Sequence, residues 1–333
     1  METKKLLYNI VKIVLPLVLG GGILYWMYRD FDFVQMRKVV TNEMDWTWML
    51  LSMPFGIFAQ TFRGWRWKQV LEPLGEKARN SVCVNSIFLS YAVSLVVPRV
   101  GEFARCGVLS QYDNVQFPKA LGTVVTERAV IVMLMALFAI LSQIKIFTNF
   151  FFRTGTSVDN IFDKFSSTGW IVTGICAIAV VILLYIIRKH LPLYKKMKGA
   201  LTGIWQGITS VRNVRNMPLF VFYSLAIWGC YFLHFYLTFF CFPQTASLGA
   251  TCALVCFVVG SIAVIVPTPN GAGPWHFAVK TMLIIYGVAD VRALYFVLIV
   301  HTLQTLLVIL LGVYAWIALA FTQKRRIRMS GIH

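Results

Sequence analysis

Acidic residues are scarce in this 333-residue chain: 13 Asp and Glu stand against 31 Lys and Arg, and charged residues of both signs make up only 13%. A soluble domain carries about 25% charged residues, so too few polar side chains remain to coat a water-soluble fold of this length. The signatures of common chemistries are missing as well. No P-loop, dinucleotide fingerprint, H-E-x-x-H or G-x-S-x-G occurs. The seven cysteines, at 83, 106, 176, 230, 241, 252 and 256, form no C-x-x-C and have no His at zinc spacing. Six of them lie in or beside apolar runs, where a free thiol acts as a small hydrophobe, so no metal and no cofactor is expected. With no tight carboxylate pair and no nucleophile beside a base, the chain is not expected to be an enzyme.

What is present is apolar. The composition is 58% hydrophobic, with 26 Phe, 10 Trp and 13 Tyr. Six runs, 6–28, 46–62, 118–142, 168–187, 218–240 and 292–321, are long enough at about 1.5 Å per residue to cross a hydrocarbon core of roughly 30 Å. The first follows Lys4 and Lys5 but is too long for a signal-peptide core and lacks a small-residue cleavage site, so it reads as a retained helix. The net charge of +18 sits in clusters between apolar runs. Anionic headgroups and the positive-inside rule account for that pattern, and nucleic acid does not.

Two further apolar runs are interrupted. Segment 80–112 breaks at Pro98-Arg99-Val100-Gly101, and 248–288 breaks at Pro267-Thr268-Pro269-Asn270-Gly271-Ala272-Gly273-Pro274. Proline removes a donor and clashes with the preceding turn, and glycine lowers helix propensity, so neither run is expected to be one straight helix. The basic links are 63–79, 188–217 (seven Lys and Arg, no acid) and the C-terminal tail. Placing them inside puts both termini in the cytoplasm and makes each broken run enter and leave on one side, as a re-entrant hairpin.

The order span, hairpin, span then occurs twice, over 46–142 and 218–321, with opposite starting sides and similar tips (Val96-Val97-Pro98 with Gly101; Ile265-Val266-Pro267 with Gly271). The expected fold is therefore an all-α integral membrane protein, one polytopic domain over 1–333. It has about six full transmembrane helices and two re-entrant hairpins in an inverted-topology repeat, whose binding site falls at the midplane. The connector 143–217 holds the helix 168–187 and a second helix over 190–213. There Leu193, Met197, Leu201, Ile204, Ile208 and Val211 share one face and Lys195, Lys196 and Lys198 lie off it. That pattern fits a helix in the inner interface and equally a linker helix packed on the bundle.

Ionisable residues at membrane depth are functional candidates by default. Arg99, Glu102 and Arg105 lie three apart and share a helical face; Glu127 and Arg128 follow in the next run; His276 and Lys280 lie four apart in the second hairpin. Taken as one cavity, Arg99, Glu102, Arg105, Glu127, Arg128 and Lys280 sum to +2, which suits a phosphate, and paired arginines grip phosphate through two parallel hydrogen bonds. A closed network of ion pairs is the competing reading. Arg63 and Arg66, flanking Trp65, fit either the site or snorkelling anchors at the interface. His234 and His301, alone in apolar runs, fit a packing role.

In order, Arg63-Gly64-Trp65-Arg66-Trp67, Val97-Pro98-Arg99-Val100-Gly101-Glu102-Phe103-Ala104-Arg105, Thr126-Glu127-Arg128 and Pro267-Thr268-Pro269-Asn270-Gly271-Ala272-Gly273 occur along the chain. Together they resemble the membrane region of lysylphosphatidylglycerol synthase and related stand-alone flippase-like proteins, over about residues 10 to 320. The resemblance implies a bacterial inner-membrane protein that moves a lipid between leaflets, with membrane lipids as its partners and a lipid-modifying enzyme as a further one. About a dozen residues follow the last run, so the chain is not expected to charge a lipid with lysine. It departs from the family pattern at Ile131 and His276, where relatives carry acids, and at Asn270, where they carry glycine. Losing two acids favours an anionic or glycosylated headgroup over a lysyl-lipid.

The expected function is a flippase or scramblase for an anionic phospholipid, glycolipid or polyprenyl-phosphate-linked lipid. Its substrate-binding residues are Arg63, Arg66, Arg99, Gly101, Glu102, Arg105, Glu127, Arg128, Asn270, Gly271, Gly273, His276 and Lys280. The alternatives are a secondary transporter of a small anionic solute and a non-transporting, lipid-binding scaffold for a synthase.

Overall fold

The computed structural model describes residues 21–25, 27–29, 32–125, 127, 199, 202–203, 205–207, 209–266 and 268–330. Among them every regular element is a helix. The run 168–187, most of 6–28, most of 118–142 and most of the connector helix lie outside the described residues, as does Arg128.

Helix α1 (Phe33–Lys38) starts where the Asp32 carboxylate accepts from the N–H groups of Val34 and Gln35, both at 2.9 Å. The same device starts α2 (Trp46–Leu71), with Asp45 accepting from Thr47 N–H at 2.9 Å. Such caps satisfy donors that have no partner in the first turn. The helix carries Pro54 without breaking and ends in the turn Glu72–Leu74. It therefore extends nine residues beyond the expected span 46–62, and Arg63 and Arg66 belong to a helix rather than to a link.

Helices α3 (Asn80–Val96) and α4 (Val100–Asp113) are the legs of the first broken run. At the open end, Arg79 Nε donates to Asp113 Oδ1 at 2.6 Å and Arg79 N–H to Asp113 Oδ2 at 2.8 Å, so the legs return to one level. A helical run 117–125 follows. In the second half, α5 (Met217–Tyr236) is capped by Asn216 and continues as a tighter turn through Cys241. Then come α6 (Gly249–Ala263), a break, α7 (Pro274–Ile285) and α8 (Asp290–Ser330).

Length separates two kinds of helix. Met217–Cys241 and Asp290–Thr322 are long and apolar enough to cross a membrane. Only 33% and 28% of their most apolar stretches are buried, whereas the core helix of a soluble protein would be mostly covered. Exposed Val221, Phe222, Leu225, Leu310, Trp316 and Phe321 give these helices an outward apolar surface, as lipid contact requires. The legs α3, α4, α6 and α7 are about 18–26 Å long at ~1.5 Å per residue, short of a full crossing.

The interior has two main clusters. One joins α2, α5, α6, α7 and α8 through Met49, Phe235, Phe239, Cys252, Val279, Leu283 and Phe296. The other joins α2, α3, α4 and 117–125 through Trp67, Leu71, Cys83, Ile87, Cys106, Leu109 and Val124. Cys83, Cys106, Cys241, Cys252 and Cys256 are buried free thiols. The connector meets the bundle through small residues: a Cβ on Gly207 would lie 2.5 Å from the Lys119 carbonyl oxygen, and Ser210 is buried. Val211 packs on Val70, Val214 and Phe220, while the rest of its expected apolar stripe lies outside the described residues. The described part is thus a helix docked on the bundle.

Candidate functional site

Two helices, α2 and α4, converge on the buried carboxylate of Glu127. Glu127 Oε1 accepts from Arg63 Nε and, at 3.1 Å, from Arg66 Nη2, both on α2. Arg105 Nη2, on α4, lies 2.7 Å from Glu127 Oε2, an ion pair whose angle misses hydrogen-bond geometry. All four residues are buried, Arg105 most deeply at 1% exposure. Among the described residues, three guanidiniums against one carboxylate leave +2 on the cluster.

Aromatic and hydroxyl groups enclose it. The Arg105 guanidinium lies 4.7 Å from the Trp67 ring, and Trp67 Nε1 donates to Thr123 Oγ1 at 2.7 Å. Arg63 Nη1 donates to the Tyr91 hydroxyl, which bonds the Tyr231 hydroxyl at 2.9 Å. Arg66 Nη1 donates to Ser224 Oγ on α5 at 3.2 Å. Two arginines are thereby well satisfied and the third is not. Among the described residues, Arg105 Nε and Nη1 have no acceptor. Buried donors without partners are costly and call for an explanation.

Beside the cluster lies a cavity of about 20 Å³, lined by Arg66, Trp67, Thr123, Glu127, Val211 and Phe220, room for about one water molecule. Between the C-terminal part of α2 and the start of α5 a cleft of about 610 Å³ is lined by Trp65, Lys68, Gln69, Asn80, Arg215 and Tyr223, among others. That volume falls in the range of small-ligand sites.

The two breaks meet. In the first, Arg99 is a left-handed residue (φ 66°) that starts α4, and its Nη2 donates to the Ile265 carbonyl of the second break. Gly101 lets the legs touch there, because a Cβ would lie 1.9 Å from the Ser90 carbonyl oxygen. In the second break, Asn270 is also left-handed (φ 51°), and Pro269–Gly271 packs against α3. Asn270 Nδ2 donates to Thr305 Oγ1 at 2.7 Å, Gly273 N–H donates to His276 Nδ1 at 3.3 Å, and Gly271 is buried in the turn.

The expected single cavity is corrected in its membership. Arg105 and Glu127 join Arg63 and Arg66, which are buried and paired rather than snorkelling. Arg99 is exposed at the meeting of the breaks, and Glu102 is half-buried in the first turn of α4. Lys280 pairs with Asp290 at 2.9 Å at the far end of α7 and stands apart from the arginines. His276 belongs to the second break, where His301 joins it with ring centroids 4.4 Å apart. His301 is therefore not alone, while His234 bonds the Ser52 carbonyl at 2.8 Å in a packing role. Tyr91, Tyr231, Ser224 and Trp67 were not foreseen, since a hydroxyl or indole in an apolar run carries no local sign of its partner.

Neither the comparison with curated proteins nor that with solved structures gave a match. A family model described as the lysylphosphatidylglycerol synthase TM region matches residues 13–312. On that match, over nearly its whole length, the chain belongs to the family of the lysylphosphatidylglycerol synthase transmembrane region.

Proposed function

We propose that this protein moves an anionic lipid between the leaflets of a bacterial cytoplasmic membrane, and that its headgroup phosphate is held by Arg63, Arg66 and Arg105. The observation that carries this reading is Arg105: a cation 1% exposed whose Nε and Nη1 have no acceptor among the described residues, in a cluster of net charge +2. A closed structural network would be charge-balanced and fully bonded. This one has charge and donors to spare, and a phosphate oxygen supplies what both lack.

The described arrangement is the closed one, because a cavity for one water molecule admits no headgroup. Opening requires the helices around Arg105 to part, and the short legs that meet through Arg99 and Ile265 are the elements free to do so. On this reading the two halves form an inverted repeat, both termini face the cytoplasm, and the cleft beside Trp65 and Arg215 receives the headgroup first. A lipid-modifying enzyme supplies the substrate. The protein itself makes and breaks no covalent bond.

Proteoliposomes loaded with headgroup-tagged anionic, zwitterionic and glycosylated lipids test the reading. Movement of lipids whose phosphate carries net negative charge is expected. Correctly inserted, folded protein that moves none of them would sink the proposal, and uptake of a small anion without lipid movement would replace it.

A further inference from the structure

Gln60 lies on α2 one turn before Arg63. It is only 4% exposed, and its Oε1 has no hydrogen-bond partner among the described residues. Its polar neighbours along the same helix are provided for. Ser52 Oγ donates to the Met49 carbonyl at 2.7 Å, Thr61 Oγ1 donates to the Ile57 carbonyl at 2.8 Å, and Arg63 and Arg66 donate to Glu127. A buried acceptor left without a donor is costly. Packing does not call for it, because an apolar side chain of similar length would fill the space without that cost.

The helices around Gln60 leave it facing the interior. A Cβ on Gly56, one turn to one side, would lie 3.0 Å from His234 Nε2 of α5 and 3.1 Å from Leu307 Cδ2 of α8. One on Gly64, a turn to the other side, would lie 2.8 Å from Val84 Cα of α3. Positions 56, 60 and 64 recur every fourth residue and so share a face of α2. Close by, Arg63 donates to the Tyr91 hydroxyl of α3, which meets the Tyr231 hydroxyl of α5 at 2.9 Å. Gln60 therefore stands on the face of α2 that α3, α5 and α8 enclose, next to the arginine cluster.

The cluster decides what Gln60 can bind. Among the described residues it holds +2, and an amide in that field turns its oxygen, not its NH₂ group, toward the positive charge. The open group is thus an acceptor, and only a donor completes it. The same charge repels an ammonium group and leaves a neutral hydroxyl unaffected. Side chains three apart on a helix have Cβ atoms about 5–6 Å apart, a spacing that a polyol bridges with its phosphate on Arg63 and a hydroxyl on Gln60.

We infer that Gln60 is a specificity-determining residue for the lipid headgroup: with the phosphate on the arginines, its Oε1 accepts from a hydroxyl of an adjoining glycerol, inositol or sugar. The inference rests on the reading that the arginines hold a phosphate. It narrows the substrate to anionic lipids whose headgroup is hydroxylated and carries no amine. A headgroup of equal charge without hydroxyls leaves Oε1 unpaired and binds less tightly.

The test uses the full chain in detergent micelles with two short-chain lipids, phosphatidylglycerol and phosphatidylpropanol. They match in charge and length and differ in the hydroxyls. Wild type is expected to bind phosphatidylglycerol about tenfold more tightly, the effect of one hydrogen bond, read from the rise each lipid gives in thermal unfolding. Gln60→Met is expected to bind both alike, at the level of wild type with phosphatidylpropanol. Without lipid it is expected to unfold at no lower a temperature, because it sheds an unpaired group. Wild type that binds the two lipids equally overturns the inference, as does discrimination that survives in Gln60→Met. A Met variant that fails to fold or melts well below wild type overturns it too, because the amide then serves the fold. Lysyl-phosphatidylglycerol bound more tightly than phosphatidylglycerol overturns the hydroxyl assignment. Binding of neither lipid removes the phosphate site and this inference with it. Discriminating binding by a protein that moves neither lipid in proteoliposomes keeps Gln60 in its role and removes the transport reading.

Discussion

Among the described residues Glu127 is the one carboxylate set against three buried guanidiniums, and replacing it by Gln removes that charge while leaving its shape nearly intact. The contacts at 3.1 and 2.7 Å to Arg66 and Arg105 each correspond to about 5–6 kcal/mol at an effective dielectric of ~20. Desolvation of the ions offsets much of that sum, and breaking one partner of a buried pair typically costs about 3–5 kcal/mol. The variant raises the cluster from +2 to +3, so a loss of about that size is expected. Adding Arg105→Met to Glu127→Gln returns the charge to +2 and removes the guanidinium with the fewest bonds. At least 2 kcal/mol, roughly, is therefore expected to come back, a coupling far outside additivity. Reversible unfolding in mixed detergent micelles would give the four stabilities of the cycle. A single variant within about 1 kcal/mol of wild type, a small change for a buried charge, or a double variant weaker than the single one, would refute this reasoning.

Further outcomes follow from individual contacts. Gly101→Ala puts a methyl 1.9 Å from the Ser90 carbonyl oxygen, so the legs α3 and α4 must part. A loss of about 1–3 kcal/mol should show as poor recovery of monodisperse protein. Thr123→Val leaves the Trp67 indole N–H without its 2.7 Å acceptor, and unfolding titrations should register about 1–3 kcal/mol. Gly207→Leu should undock the connector from the Lys119 carbonyl, seen as faster proteolysis within 199–216. Arg79→Ala removes a pair whose arginine is 47% exposed, and only about 0.2–1 kcal/mol should be lost in the same titrations.

The broken helices were legible because their cause is local. Pro98 and Gly101, and the Pro/Gly run from 267 to 274, cannot continue a straight helix wherever they are placed, and the helices stop at Val96 and Ala263. The arginine cluster was half legible. Arg105 and Glu127 stood out as charges in apolar runs. Arg99, Glu102 and Arg105 shared a face by spacing alone, but left-handed Arg99 turns away at the helix start and reaches Ile265 instead. Arg63 and Arg66 looked equally like interfacial anchors because tryptophans flank them; only tertiary packing brings them to a carboxylate 61 to 64 residues away. The connector was legible in part. Val211, the described member of its apolar stripe, packs on the bundle, and the same contact also uses Gly203, Gly207 and Ser210, whose value lies in having almost no side chain.

The central claim is that Arg105 is held buried for a phosphate and not for the fold. The direct measurement compares wild type with Arg105→Met for movement of a tagged anionic phospholipid in proteoliposomes, alongside the unfolding free energy of both. The variant keeps Glu127 Oε1 against Arg63 and Arg66 and lowers the cluster to +1, so it is expected to be folded and to lose less than the roughly 3–5 kcal/mol of Glu127→Gln. Transport is expected to fall by at least about tenfold, the effect of one lost charge-assisted contact of 1.5–3 kcal/mol. Wild-type transport by folded Arg105→Met protein would contradict the account, and so would a variant that unfolds as readily as Glu127→Gln.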